Sequence, residues 1–159
     1  MRGLVLGRFQ PFHNGHMALV KQVLSECDEI IIAITGSQFN YIEKDPFTAG
    51  ERVEMIQDAL RRDNDVDLNR CFIQSIENQQ NNATWVAYLK SILPKFDRVY
   101  SGNDYVSMLL SDYGISVPPS VLIKKRSDYT NVKFPDCVVK SQVLRGKRTK
   151  AGLVKFCKN

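Results

Sequence analysis

Histidine is scarce, cysteine is scattered and long apolar runs are missing, and each shortage removes a class of protein. The chain has two histidines and four cysteines in 159 residues, and no two cysteines form a C-x-x-C pair. A structural zinc takes four Cys or His ligands at short spacings, so none is expected. Cys27, Cys71, Cys137 and Cys157 read as free thiols, most of them small core residues. No stretch approaches the roughly 20 apolar residues that span a bilayer. Residues 1–7 are broken by Arg8 too soon to form a signal-peptide core. A cytoplasmic location, away from any membrane, is the expectation. Internal repeats are absent, and the one low-complexity stretch is the polar run Asn78-Gln79-Gln80-Asn81-Asn82.

What is present suits a single soluble domain. Apolar residues make up 43% and charged residues 25% of a chain long enough for one core and too short for two ordinary ones. The net charge of +5 is unevenly spread. Residues 1–123 hold 11 Lys and Arg against 15 Asp and Glu, an excess of four negative charges. Residues 124–159 hold 11 against 2, an excess of nine positive ones. Such a basic end either meets a polyanion, as bound phosphates or nucleic acid, or is simply solvated.

Apolar runs alternate with helical spacings. Leu4-Val5-Leu6, residues 29–36, residues 71–76, residues 98–102 and Val121-Leu122-Ile123 read as strands, unbroken enough to be covered on both faces. Between them, Met17, Val20, Val23, Leu24 and Cys27 mark a first helix. Thr48-Ala49-Gly50-Glu51 is a capping box that opens a second, with Val53, Ile56, Ala59 and Leu60 as its buried stripe. Trp85, Leu89 and Ile92 mark a third, stopped by Pro94, and residues 104–113 a fourth, stopped by Gly114. Strand and helix repeated four times, then a strand, predict a doubly wound α/β domain of the Rossmann-like kind with a mainly parallel five-stranded sheet. Ligands of such sheets bind beyond the carboxyl ends of the strands, where strand order reverses. The loops at 7–16, 35–47, 76–84 and 101–104 are therefore the ones to watch.

Both histidines fall in one of them, the segment Gly7-Arg8-Phe9-Gln10-Pro11-Phe12-His13-Asn14-Gly15-His16. A helix begins there, and its unsatisfied N–H groups and partial positive charge attract phosphate. His13 and His16, three apart, can turn toward one ligand. The bland alternatives are that they cap or pack the helix start, or hold a metal, for which no third ligand is evident.

This segment resembles the signature of the H-x-G-H nucleotidyltransferase superfamily, and most of all its archaeal-type nicotinamide-nucleotide adenylyltransferases. A bare H-x-G-H is shared with pantetheine-phosphate adenylyltransferase, cytidylyltransferases and class I aminoacyl-tRNA synthetases; the longer G-R-F-Q-P-F-H-N-G-H is far more specific. Three more segments resemble the same family in the same order: D-P-F-T-A-G-E-R at 45–52, N-A-T-W-V at 82–86 and F-D-R-V-Y-S-G-N at 96–103. The likeness covers about residues 1–123. Beyond it, the family's S-x-T-x-[IV]-R phosphate clamp has its nearest counterpart at 128–133, where Thr130 and Val132 match, Asp128 replaces the serine and Lys133 the arginine.

The resemblance implies a sheet order of 3-2-1-4-5, a transferase domain over 1–133 and a basic C-terminal extension over 134–159. It implies attack of nicotinamide or nicotinic acid mononucleotide on the α-phosphorus of ATP, with Mg2+ carried by the ATP phosphates and no metal site on the protein. His16 would face the α-phosphate and His13 the triphosphate, with Arg8 as the third catalytic residue. Gly7, Arg8, Phe9, Gln10, His13, Gly15, His16, Gly102, Asn103, Thr130 and Lys133 would hold ATP. Lys44, Asn82 and Trp85 would hold the mononucleotide, Trp85 by stacking. Homo-oligomers are expected, and nucleic acid is not an expected partner. Alternatives stay open at several positions: Trp85 as helix-to-sheet core, Lys44 as a solvated lysine, Arg52 as a phosphate ligand or the partner of a helix carboxylate, Asn103 as a helix cap. For the whole chain the competitors are a relative with another acceptor, or a non-catalytic nucleotide-binding protein.

Overall fold

The computed structural model describes residues 1–101, 103–118, 136–140 and 154–158. The chain divides into two compact units, Met1–Pro118 and Pro119–Asn159. The first runs β1 (Arg2–Gly7), α1 (Asn14–Glu26), β2 (Glu29–Ile34), α2 (Ala49–Arg61), β3 (Cys71–Ser75), α3 (Asn82–Ile92), β4 (Arg98–Tyr100) and α4 (Asp104–Ser111). The four strands pair in parallel in the order β3-β2-β1-β4. That is the expected order as far as it can be followed, because the fifth strand, expected at 121–123, lies outside the described residues. Beyond β4 the chain does return to the sheet once: Ser116 forms an isolated parallel bridge with Arg98, and the Val99 N–H donates to the Ser116 carbonyl at 2.9 Å.

Side chains alternate between two cores. Val5, Ile30, Ile32 and Ile34 pack with Val20 and Val23 of α1 and Ile56 and Leu60 of α2 on one face. Leu4, Ile31, Ala33 and Val99 pack with Val86 and Leu89 of α3 and Leu110 of α4 on the other. A strand with helices on both sides can be apolar at every position, which is why β2 is five-sixths Ile and Ala and buried from Ile30 to Ile34. β3 is the exception among the strands expected to be fully covered. Among the described strands it stands at the edge of the sheet, and Phe72 stays 39% exposed.

Helix α2 starts where its capping box says it should. The Glu51 N–H donates to Thr48 Oγ1 at 3.2 Å, and the Thr48 N–H donates to Glu51 Oε2 at 2.8 Å. Helix α4 ends at Ser111, two residues earlier than expected, because Gly114 turns the chain at φ 69° and Ile115 donates back to the Leu110 carbonyl at 3.1 Å.

β1 to β3 are laid down in one direction across the sheet, and the chain then crosses back to place β4 on the other side of β1. The reversal falls between β1 and β4, so the loops that follow these two strands border the crevice where such folds take ligands. In the second unit, β5 (Asp136–Lys140) and β6 (Val154–Lys158) pair antiparallel, from Asp136 opposite Lys158 to Lys140 opposite Val154.

Candidate active site

The loop after β1 is built around a side chain that folds back under it. Phe9 takes a left-handed conformation at φ 50°, unusual for a residue with a side chain, and its ring is buried at 3% exposure. The ring sits so close to Gly7 that a Cβ there would lie 2.9 to 3.2 Å from three ring carbons. Glycine at position 7 is therefore a steric requirement of Phe9. The Gln10–Pro11 peptide is cis. The Gln10 side chain then mimics a strand: its Nε2 donates to the Phe47 carbonyl and its Oε1 accepts from the Phe47 N–H, both at 3.0 Å.

Both histidines hold the start of α1, which is the capping alternative to their expected role at phosphate. His13 is the N-cap residue, one position before the helix, and its Nδ1 accepts from the Gly15 N–H at 3.1 Å. His16, in the first turn, accepts from the His13 N–H through its own Nδ1 at 3.3 Å. This is a capping box made of two imidazoles in place of the usual hydroxyl and carboxylate. The rings stack with centroids 3.7 Å apart, and His16 meets the Phe9 ring edge-on at 4.8 Å. An imidazole nitrogen that accepts carries no proton, so each neutral ring keeps its hydrogen on Nε2. Capping and donation thus use opposite sides of the same ring. The arrangement sets two imidazoles at the amino end of a 13-residue helix, whose dipole attracts an anion.

Arg8 is half exposed, and its Nη1 donates to Asp45 Oδ2 at 2.9 Å. Asp45 itself is 2% exposed. It closes a two-residue turn, donating to the Ile42 carbonyl at 3.0 Å and accepting from the Ile42 N–H at 3.3 Å. Glu43 and Lys44 form the tip of that turn, both exposed. Beside it opens a pocket of about 380 Å³ lined by Arg8, Phe39, Ile42, Glu43, Lys44 and Asp45.

Arg52 corrects both readings offered for it. Its side chain is fully buried and, among the described residues, meets no carboxylate at hydrogen-bond distance. Its Nε donates to the Thr48 carbonyl at 3.1 Å, Nη1 to the carbonyls of Arg8 at 3.0 Å and Thr35 at 2.9 Å, and Nη2 to that of Gly36 at 3.2 Å. One guanidinium thereby ties the exits of β1 and β2 to the start of α2. Burial pushes its pKa down, the Asp45 charge pulls it back up, and Arg8 nearby lowers it further. A signal for this burial was present. Arg52, Ile56 and Leu60 fall four apart, on one stripe of α2, and all three are buried. Asp45 gave no such signal, since its partner is 37 residues away.

Asn82 and Asn103 lie in the connections that follow β3 and β4. Asn103 caps α4, its Oδ1 accepting from the N–H groups of Tyr105 at 3.0 Å and Val106 at 3.4 Å. Asn82 opens α3 exposed, directly after its cap Asn81. Trp85 is half-buried against the core on the α3 side. Gly102, Thr130 and Lys133 lie outside the described residues. Among the described residues, no three His, Cys, Asp or Glu side chains gather so as to hold a metal ion, and no helix is long and apolar enough to cross a membrane.

A family model described as Cytidylyltransferase-like matches residues 4–143. The chain is 45% identical over 140 residues to a nicotinamide-nucleotide adenylyltransferase of Caldivirga maquilingensis, covering 88% of this chain and 78% of that one. It is 44% identical over 146 residues to the protein of the same name in Pyrobaculum arsenaticum, covering 92% and 78%. A relative of that name in Methanococcus aeolicus is 37% identical over 89% of this chain. Among solved structures, a bifunctional NMN adenylyltransferase/ADP ribose pyrophosphatase of Francisella tularensis, complexed with AMP and a manganese ion, superposes with a TM-score of 0.66. The match covers 82% of this chain and 42% of that one at 20% identity, which speaks for the fold alone. Four long matching segments in one order, set on the sheet order and switch point described above, leave one assignment: the chain belongs to the cytidylyltransferase-like family and, within it, to the nicotinamide-nucleotide adenylyltransferases.

Proposed function

We propose that this nucleotidyltransferase joins nicotinamide or nicotinic acid mononucleotide to ATP with Arg8, His13 and His16 as its phosphate-contacting residues. A phosphate oxygen of the mononucleotide forms a bond to the α-phosphorus of ATP. The bond from that phosphorus to the bridging oxygen breaks, and pyrophosphate leaves with the electron pair. The nucleophile is already an anion, so no general base is needed. The protein's share is in-line placement and neutralisation of charge on the phosphate oxygens.

The observation that carries this reading is the imidazole capping box. Because both Nδ1 atoms accept from backbone N–H groups, each neutral ring carries its hydrogen on Nε2. Pre-set donors lose little reorganisation energy when charge develops. His16 would act at the α-phosphate, His13 and Arg8 along the triphosphate. Gly7, Phe9, Gln10 and Gly15 would shape the loop and helix start beneath it, and Gly102 with Asn103 would flank the adenosine across the switch point. Thr130 and Lys133 would close on the phosphates, within a transferase domain taken to reach residue 133. Lys44, Asn82 and Trp85 would hold the mononucleotide. Magnesium would enter bound to the triphosphate and supply further charge neutralisation there. The working form is a cytoplasmic homo-oligomer.

The test is a mass-resolved assay of ATP and magnesium against a panel of acceptor mononucleotides. A dinucleotide formed from nicotinamide or nicotinic acid mononucleotide, with one pyrophosphate for each, is expected. Turnover confined to another acceptor, such as pantetheine phosphate or flavin mononucleotide, would overturn the assignment.

A further inference from the structure

The D-P-F-T-A-G-E-R segment has no role in the chemistry above, yet it touches the phosphate loop at three points. Asp45 holds the Arg8 guanidinium, Phe47 pairs with the Gln10 amide, and Arg52 donates to the Arg8 carbonyl. Asp45 is the odd member. A buried carboxylate is expensive unless its oxygens are paired, and here only Oδ2 is: Oδ1 is buried with no hydrogen-bond partner. The charge is offset by two guanidinium groups, Arg8 in contact and Arg52 close enough to attract it. Arg52 spends its own N–H groups on carbonyls, so Arg8 is the one cation among the described residues that Asp45 grips directly.

A negative charge beside a triphosphate site works against the binding of ATP. Its presence needs another explanation, and geometry provides one. Arg8 is half exposed and carries a long, rotamer-rich side chain that would otherwise sample many positions. One Nη1 hydrogen bond to a carboxylate fixed in a tight turn leaves the other N–H groups of the planar fork in a set direction.

We propose that Asp45 is a positioning residue for Arg8, holding the guanidinium in the orientation in which it meets the polyphosphate. The inference rests on the phosphate role proposed for Arg8. It makes an unusual demand on kinetics, because orientation and charge act in opposite directions. Asp45→Asn keeps the shape and removes the charge. Its kcat should fall at least about tenfold, as misplacement of a transition-state group does, while KM for ATP stays level or falls. A merely structural lesion would move the melting temperature and would not split the two constants this way. In an Arg8→Ala background, Asp45→Asn should change kcat by less than about twofold, since the residue it acts through is gone.

The outcomes separate cleanly. Arg8→Ala at wild-type turnover overturns the phosphate role of Arg8, and this inference with it. Arg8→Ala impaired, with Asp45→Asn silent in the wild type or equally harmful in both backgrounds, overturns the inference alone. Should Asp45→Asn fail to fold, side-chain NMR of the unsubstituted protein decides. Rotation about the Arg8 Nε–Cζ bond should be slower than that of exposed Arg62, and equal rates contradict the anchoring.

Discussion

Replacing Arg52 by Met separates a structural guanidinium from a catalytic one. Methionine is nearly as long and removes the charge, so the change deletes four hydrogen bonds to carbonyl oxygens without opening a large void. Each bond from a charged donor contributes roughly 1.5–3 kcal/mol, and relief from burying the cation returns part of the sum. The Gly36 carbonyl loses a buried donor and Asp45 loses one of two neighbouring cations, which makes the net loss about 3–5 kcal/mol. Against a typical stability of ~5–15 kcal/mol, that is large. With a urea slope of about 1–3 kcal/mol per molar, the unfolding midpoint should drop by roughly 1–5 M. Urea denaturation followed by circular dichroism measures it directly. If Arg52 instead bound phosphate, the midpoint would hold while KM for ATP rose, and the buried clamp between β1, β2 and α2 would be refuted.

Other variants probe the same loops. Gly7→Ala pushes a methyl group into the Phe9 ring and should cost about 1–3 kcal/mol, read as a lower thermal midpoint. His16→Asn keeps an acceptor near the Nδ1 position but has no counterpart of Nε2. It should retain the fold while turnover falls about a hundredfold or more, and His16→Gln, which restores a distal N–H, should recover part of that loss; equal turnover in both would contradict the tautomer argument. Glu51 accepts from the Thr48 N–H and hydroxyl, which lowers its carboxyl below the ordinary 4.5. A lowered folded-state value means stability present above about pH 4.5 and lost as pH falls through the folded value. Acid unfolding of Glu51→Gln should lack that component, and an unchanged acid limb would remove the capping box from the account.

Much of this was legible because it was periodic or local. Ile30-Ile31-Ile32-Ala33-Ile34 could only be a strand covered on both faces, and Thr48 with Glu51 announced the start of α2 in four residues. Alternation of such runs with helical stripes yielded a doubly wound sheet, and the family resemblance implied the order that the four described strands adopt. What escaped was non-local or chemically disguised. Nothing in spacing links Arg8 to Asp45 or Gln10 to Phe47, since loops carry no period. Arg52 sits on an apolar stripe, but charge argues against burial until four carbonyls are found around it. Imidazole is a rare N-cap, so capping stood for His13 and His16 only as an alternative to phosphate contact, and the geometry shows that they do cap α1, each through its Nδ1. The coverage of β3 was misjudged, although the implied order already put it at the sheet edge: none of its residues is fully buried.

The central claim is that the imidazole pair caps α1 with one nitrogen of each ring and meets polyphosphate with the other. A crystal structure with a non-hydrolysable ATP analogue tests it most directly. Phosphate oxygens about 2.7–3.2 Å from Nε2 of His13 and His16 are predicted, with both Nδ1 contacts to the Gly15 and His13 N–H groups intact. Phosphates bound away from both rings, or rings flipped so that Nδ1 meets the phosphate and the caps are broken, would contradict it.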